Sequence, residues 1–119
     1  MSLEITKEMK QNIPIFYLEG KIDFYNAPEI QDILLKEIET GKLKKMIINF
    51  KAVDYIDSPG IGALLGIVTK TKTKIRICHT DSRIIHVLEL IGLLDFLDID
   101  YTEAESITHL LSEESETQA

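Results

Sequence analysis

Met46-Ile47-Ile48-Asn49-Phe50, then Val53 and Ile56-Asp57-Ser58-Pro59-Gly60, then Ile61, Leu64, Leu65 and Val68, and last Lys74-Ile75-Arg76-Ile77-Cys78: in order, these residues spell a strand, a helix and a second strand. The short, nearly continuous apolar run at 46–50 predicts a strand covered on both faces or lying at the centre of a sheet. The spacing of Ile61, Leu64, Leu65 and Val68 is helical. Ser58 as N-cap and Pro59 at the first helical position mark where that helix begins. A strand, a helix and a returning strand make a crossover between parallel neighbours.

The flanks extend the same alternation. Residues 3–9 alternate loosely, Lys10-Gln11-Asn12 breaks the pattern, and Ile13-Pro14-Ile15-Phe16-Tyr17-Leu18 reads as a second strand, so a hairpin is expected. Pro14 cannot donate to a ladder and belongs at a strand start or on an unpaired side. Asn26 can cap a helix, Pro28 suits its first turn and Glu29 stands three residues after the cap; Ile30, Ile33, Leu34 and Ile38 follow at helical spacing, with Gly41 as the stop. Thr80 or Asp81 can cap a third helix carrying Ile84, Ile85, Leu88 and Ile91, ended by Gly92, before a last strand at 96–101. Ala104, Ile107, Leu110 and Leu111 form the stripe of a fourth helix, and the polar stretch 112–119 reads as frayed or disordered. The expectation is one α/β domain over 1–111, with a mainly parallel sheet and an antiparallel N-terminal strand.

Composition supports that reading. The chain has 119 residues, 45% of them hydrophobic, enough for one core without disulfides or metal. The single cysteine, Cys78, sits in a strand pattern and cannot form an internal disulfide, which fits a reducing, cytoplasmic compartment. Charged residues interrupt every apolar segment short of a membrane span, and no secretory leader is expected. With 20 acidic against 13 basic residues the net charge is −7, which repels nucleic-acid phosphates and argues against such a partner.

No catalytic constellation assembles. His79, His86 and His109 lack metal-ligand spacing, so neither metal nor cofactor is expected. Gly60, Gly62 and Gly66 match neither the P-loop nor the dinucleotide fingerprint and read instead as small residues that let a helix pack closely. Ser58 follows Tyr55-Ile56-Asp57, which is not the Gly-x-Ser-x-Gly elbow of a hydrolase. The expectation is a protein that is not an enzyme.

Gly20-Lys21-Ile22-Asp23 before Asn26-Ala27-Pro28, the central Val53-Asp54-Tyr55-Ile56-Asp57-Ser58-Pro59-Gly60-Ile61-Gly62-Ala63-Leu64-Leu65, and Leu88-Glu89-Leu90-Ile91-Gly92-Leu93 before Phe96 together resemble the STAS domains of anti-sigma-factor antagonists. The resemblance implies a small mixed sheet with about four helices packed mainly to one side. It also implies a partner, an anti-sigma factor or related kinase-fold regulator, that docks at residues 57–62 and the neighbouring loop 20–26. The contact residues so implied are Asp23, Tyr25, Asn26, Asp57, Ser58, Gly60, Ile61 and Gly62, with Ile61 and Tyr25 adding apolar contact. Phosphorylation-regulated members of that family usually read Asp-Ser-Ser/Thr-Gly, and their acceptor position is Pro59 here; Ser58 is the hydroxyl left for modification. Two other roles fit the same pattern: a STAS subunit of a transporter or signalling scaffold, and a small ligand-binding α/β domain that uses the crevice beyond the strand ends.

Overall fold

Gln11 and Asn12 both take left-handed backbone, with φ of 51° and 64°, the conformation that lets a two-residue turn follow the twist of a hairpin. They join β1 (Glu4–Lys10) to β2 (Ile13–Ile22) antiparallel, in register from Lys10↔Ile13 to Glu4↔Glu19. A computed structural model describes residues 3–118, with side chains described as far as residue 112. Pro14 stands ahead of the first pair between β2 and β3, Ile15↔Ile47, at the strand start where its missing N–H is tolerated.

The strands β3 (Lys45–Ile56), β4 (Lys74–Cys78) and β5 (Asp98–Asp100) each run parallel to the one before, giving the sheet order β1-β2-β3-β4-β5 with β3 at its centre. β3 is longer than its apolar run: beyond Phe50 the pairing with β2 shifts register and resumes, ending at Ile22↔Ile56. Because side chains alternate across a strand, neighbouring residues of β3 serve two cores. Ile48 packs with Phe16, Leu34, Phe50 and Ile67 beneath α1 (Ala27–Gly41), α2 (Ser58–Lys70) and α3 (Ser82–Leu90). Ile47 packs with Ile13, Ile15 and Cys78 beneath α4 (Glu103–Gln118), through Ile107 and Leu110. Each of these isoleucine, leucine and phenylalanine side chains, buried fully, contributes about 1.5–3 kcal/mol.

Several element ends differ from the sequence reading. Asn26 holds the N-cap position of α1 but makes no capping bond. Lys42, not Gly41, takes the left-handed turn that ends this helix, with φ of 49°. Asp81 rather than Thr80 caps α3 through Arg83 N–H, and Gly92, at φ 74°, closes it as expected. Residues 94–96 form a 3-10 turn, which leaves only Asp98–Asp100 as the last strand. Helix α4 passes the expected boundary at 111 and continues to Gln118, so 112–118 extend the helix rather than leave it; residue 119 lies outside the described residues.

Candidate functional site

The last pair between β2 and β3, Ile22↔Ile56, delivers two segments to the same end of the sheet: loop 23–26 and the start of α2. Asp57 joins them. Its N–H donates to Ile22 O at 3.2 Å, its Oδ1 accepts from Gly60 N at 2.9 Å and its Oδ2 accepts from Phe24 N at 2.9 Å. Asp57 is therefore the N-cap of α2, and Ser58 and Pro59 are its first two helical residues, one place on from the sequence reading. Within the loop, Asp23 Oδ1 accepts from Tyr25 N and Asn26 N at 2.9 and 3.2 Å. Asn26 turns back to accept from Asp23 N at 2.9 Å and to donate to Lys21 O at 2.7 Å. That is why it does not cap α1.

The expected contact residues fall into three groups. Asp23, Asn26 and Asp57 spend their polar atoms on the loop itself. Tyr25, at 88% exposure, Ser58 and Gly62 face solvent. Gly60 and Ile61 face inward: Ile61 is 3% exposed and belongs to the main core, so it offers no surface contact. A Cβ on Gly60 would lie 2.8 Å from Ile22 Cγ2, 2.8 Å from Ile56 Cγ1 and 2.9 Å from Ile22 O, whereas one on Gly62 meets nothing within 4 Å. The close approach at Gly60 is thus internal, and the open one is at Gly62. Two aromatic rings that the sequence reading passed over are also exposed at this end of β2 and β3. Phe24 is 66% exposed and stands edge-on to Tyr25 with centroids 5.3 Å apart, and Tyr55 is half exposed with Lys21 Nζ 5.9 Å over its ring. An aromatic pair just before a helix start was the available signal.

The start of α2 is poorly equipped to hold phosphate. A helix N-terminus binds anions through its first N–H groups, but Pro59 has none, Gly60 N–H goes to Asp57 Oδ1 and Ile61 N–H goes to Asp57 O. Among the described residues, no three His, Cys, Asp or Glu side chains gather as a metal site. Gly66 leaves room for Gln31, whose Nε2 donates to Ala63 O at 3.0 Å and clasps α1 to α2.

The family model that matches this chain is the STAS domain, over residues 4–106. The chain belongs to the STAS-domain family. A relative named anti-sigma-B factor antagonist, from Bacillus subtilis, is 28% identical over 102 residues, covering 83% of this chain and 92% of the relative. Among solved structures, an anti-sigma factor antagonist from Mycobacterium paratuberculosis superposes with a TM-score of 0.79 at 18% identity, over 91% of this chain and 93% of that one. A sulfate transporter family protein from Wolinella succinogenes gives 0.70 at 23% identity, over 90% and 93%. These structural likenesses establish the fold.

On the other face of this STAS domain, α4 is fastened by two carboxylates. Glu103 accepts from Lys10 Nζ at 2.7 Å, Tyr17 Oη at 2.6 Å and Asn49 Nδ2 at 3.1 Å, and its backbone N–H donates to His79 Nε2 at 3.2 Å. Asp100 accepts from Arg76 Nε at 2.7 Å and Ser106 Oγ at 2.7 Å, with His109 Nδ1 2.8 Å away. Burial alone would push both carboxyls up, but these hydrogen bonds outweigh it and hold both below their usual range. The Cys78 thiol beneath α4 is pushed up to about 12, chiefly by burial, and a protonated, buried thiol is inert.

Proposed function

We propose that this STAS domain is an anti-sigma-factor antagonist that regulates transcription in the cytoplasm by binding an anti-sigma factor, or a related kinase-fold regulator, through loop 20–26 and residues 57–62. The observation that supports the reading is the Asp57 carboxylate, which ties Phe24 N to the start of α2 and so holds the exposed Phe24 and Tyr25 beside the helix start that carries the exposed Ser58 and Gly62. Exposed aromatic rings beside a helix start that carries no side chain at Gly62 suit a protein partner: the rings supply anchors and the glycine admits close approach. The relatives named antagonists support the partner class. Binding alone performs this role, and no catalytic group is required. The net charge of −7 disfavours nucleic acid. No helix among the described residues is long and apolar enough to cross a membrane.

Titration calorimetry against the anti-sigma factor encoded in the same genome tests this. Tyr25→Ala and Gly62→Leu should each weaken binding by about tenfold or more, the effect of losing an anchor of about 1.4 kcal/mol. Wild-type affinity in both variants would remove the face from consideration. Pro59 favours a second reading, a STAS subunit of a transporter or signalling scaffold that needs no phosphorylation switch. Under it, the purified anti-sigma factor fails to bind the wild-type domain at all.

A further inference from the structure

Two short segments hold six of the chain's 13 lysines and arginines and no acidic residue: Gly41-Lys42-Leu43-Lys44-Lys45 and Lys70-Thr71-Lys72-Thr73-Lys74. They are pinned together where β3 and β4 begin, with Lys74 N donating to Lys44 O at 2.9 Å and Thr73 Oγ1 to Leu43 O at 2.7 Å. Thr71 Oγ1 donates to Ile67 O at 3.2 Å, so the threonines turn inward while the alternating Lys72 and Lys74 are exposed. Between the segments lies an open cleft of about 580 Å³. Leu35, Ile38 and Leu43 make its apolar floor; the exposed Lys42, Lys44, Lys70 and Lys72 stand around it, and Glu39 is the one carboxylate among the described residues that line it. Those four ammonium groups form no ion pair among the described residues. Lys42 and Lys70 close α1 and α2 and offset their dipoles. Lys44 and Lys72 lie beyond both helices and have no such duty.

We infer that this cleft binds a short acidic segment of a protein, one in which a bulky apolar side chain is flanked by carboxylates: the apolar side chain covers the floor and the carboxylates meet the lysines. At physiological salt charges are felt over about 8 Å, so these lysines, rather than the net charge of −7, set the field at the cleft. A nucleic acid is disfavoured because no aromatic ring lines the cleft to stack a base. A bilayer, being flat, would leave the apolar floor uncovered. The cleft lies at the opposite end of β3 from residues 57–62, and the inference stands apart from the antagonist reading.

The test is a titration of the full chain, labelled with nitrogen-15, with the acetylated peptide Glu-Glu-Leu-Phe-Glu-Glu. At millimolar concentration or below it should shift the amide signals of residues 38–44 and 70–73 saturably and leave those of 23–26 and 57–62 in place. Replacing its glutamates by glutamine, or its Leu-Phe by Ala-Ala, should each weaken binding by about fivefold or more. Lys44→Gln combined with Lys72→Gln, both exposed, should lower affinity by about two- to tenfold and reduce its salt dependence, whereas Lys36→Gln, exposed on α1 outside the cleft lining, should change neither. Absence of saturable shifts at these residues, equal binding of the glutamine peptide, or undiminished affinity in the double variant would each overturn the inference. So would tighter engagement of the same residues by phosphatidylserine vesicles or a single-stranded oligonucleotide, which would assign the face to lipid or to nucleic acid.

Discussion

Gly60 and Gly62 lie two residues apart in one helix, yet adding a methyl group to each should move stability in opposite directions. At Gly60 the new Cβ would stand 2.8 Å from two isoleucine side-chain carbons and 2.9 Å from Ile22 O, closer than carbon atoms pack. The side chains can yield; the carbonyl cannot easily, because it accepts the Asp57 N–H at 3.2 Å. Overpacking of this kind costs about 1–3 kcal/mol, against a helical gain of up to about 1 kcal/mol on replacing glycine by alanine. Gly60→Ala should therefore lose about 1–2 kcal/mol and melt about 4–8 °C lower. At Gly62 only the helical gain operates, and Gly62→Ala should gain about 0.5–1 kcal/mol. Urea unfolding followed by circular dichroism, with equal slopes required of all three proteins, measures both differences. A Gly60→Ala protein as stable as wild type would show that the strand ends give way freely, and the account of a tightly fitted helix start would be wrong.

With the partner kinase and ATP, only Pro59→Ser should gain phosphate by intact mass; stoichiometric phosphate on wild type that disappears in Ser58→Ala would make Ser58 the switch. The lowered carboxyls of Asp100 and Glu103 add stability above their ordinary values of 3.8 and 4.5 and lose it as pH falls from there, so urea midpoints should drop on acidification below about 4.5, and less so in Glu103→Gln. At the other extreme the Tyr17 phenol, pushed up to about 12 by burial and by its bond to Glu103, contributes fully below 10 and loses its contribution as pH rises through about 12; ultraviolet titration should find one tyrosine ionising there, and Tyr17→Phe should remove it. Cys78 should ignore Ellman's reagent in native protein and react fully in urea; rapid native reaction would contradict its burial.

The order of strands and helices was legible because apolar spacing is a local property, and the run Met46-Ile47-Ile48-Asn49-Phe50 marks a strand that is covered on both faces or central in its sheet. What was not legible depended on distant partners. Asp57 and Ser58 are both good caps, and the choice between them turns on Phe24 N–H, thirty-three residues away. Asn26 lost its capping bond to a loop that needed it more. Ile61 was part of the helical stripe, and that periodicity already implied burial; the family resemblance drew it outward into the contact set. Glu103 carried no local mark at all, since Lys10, Tyr17, Asn49 and His79 reach it from four other parts of the chain.

The Asp57 tie between loop and helix bears on the thermodynamics of association. A loop left free would surrender about 1–2 kcal/mol of backbone entropy for each residue that a partner immobilised, whereas here residues 23–26 are held before any encounter by bonds from Asp57, Asp23 and Asn26. Preorganisation of this kind leaves little ordering cost on this side of the complex. Variants that cut the tie, Asp57→Ala first among them, should then bind with a more unfavourable entropy even where every contact atom remains.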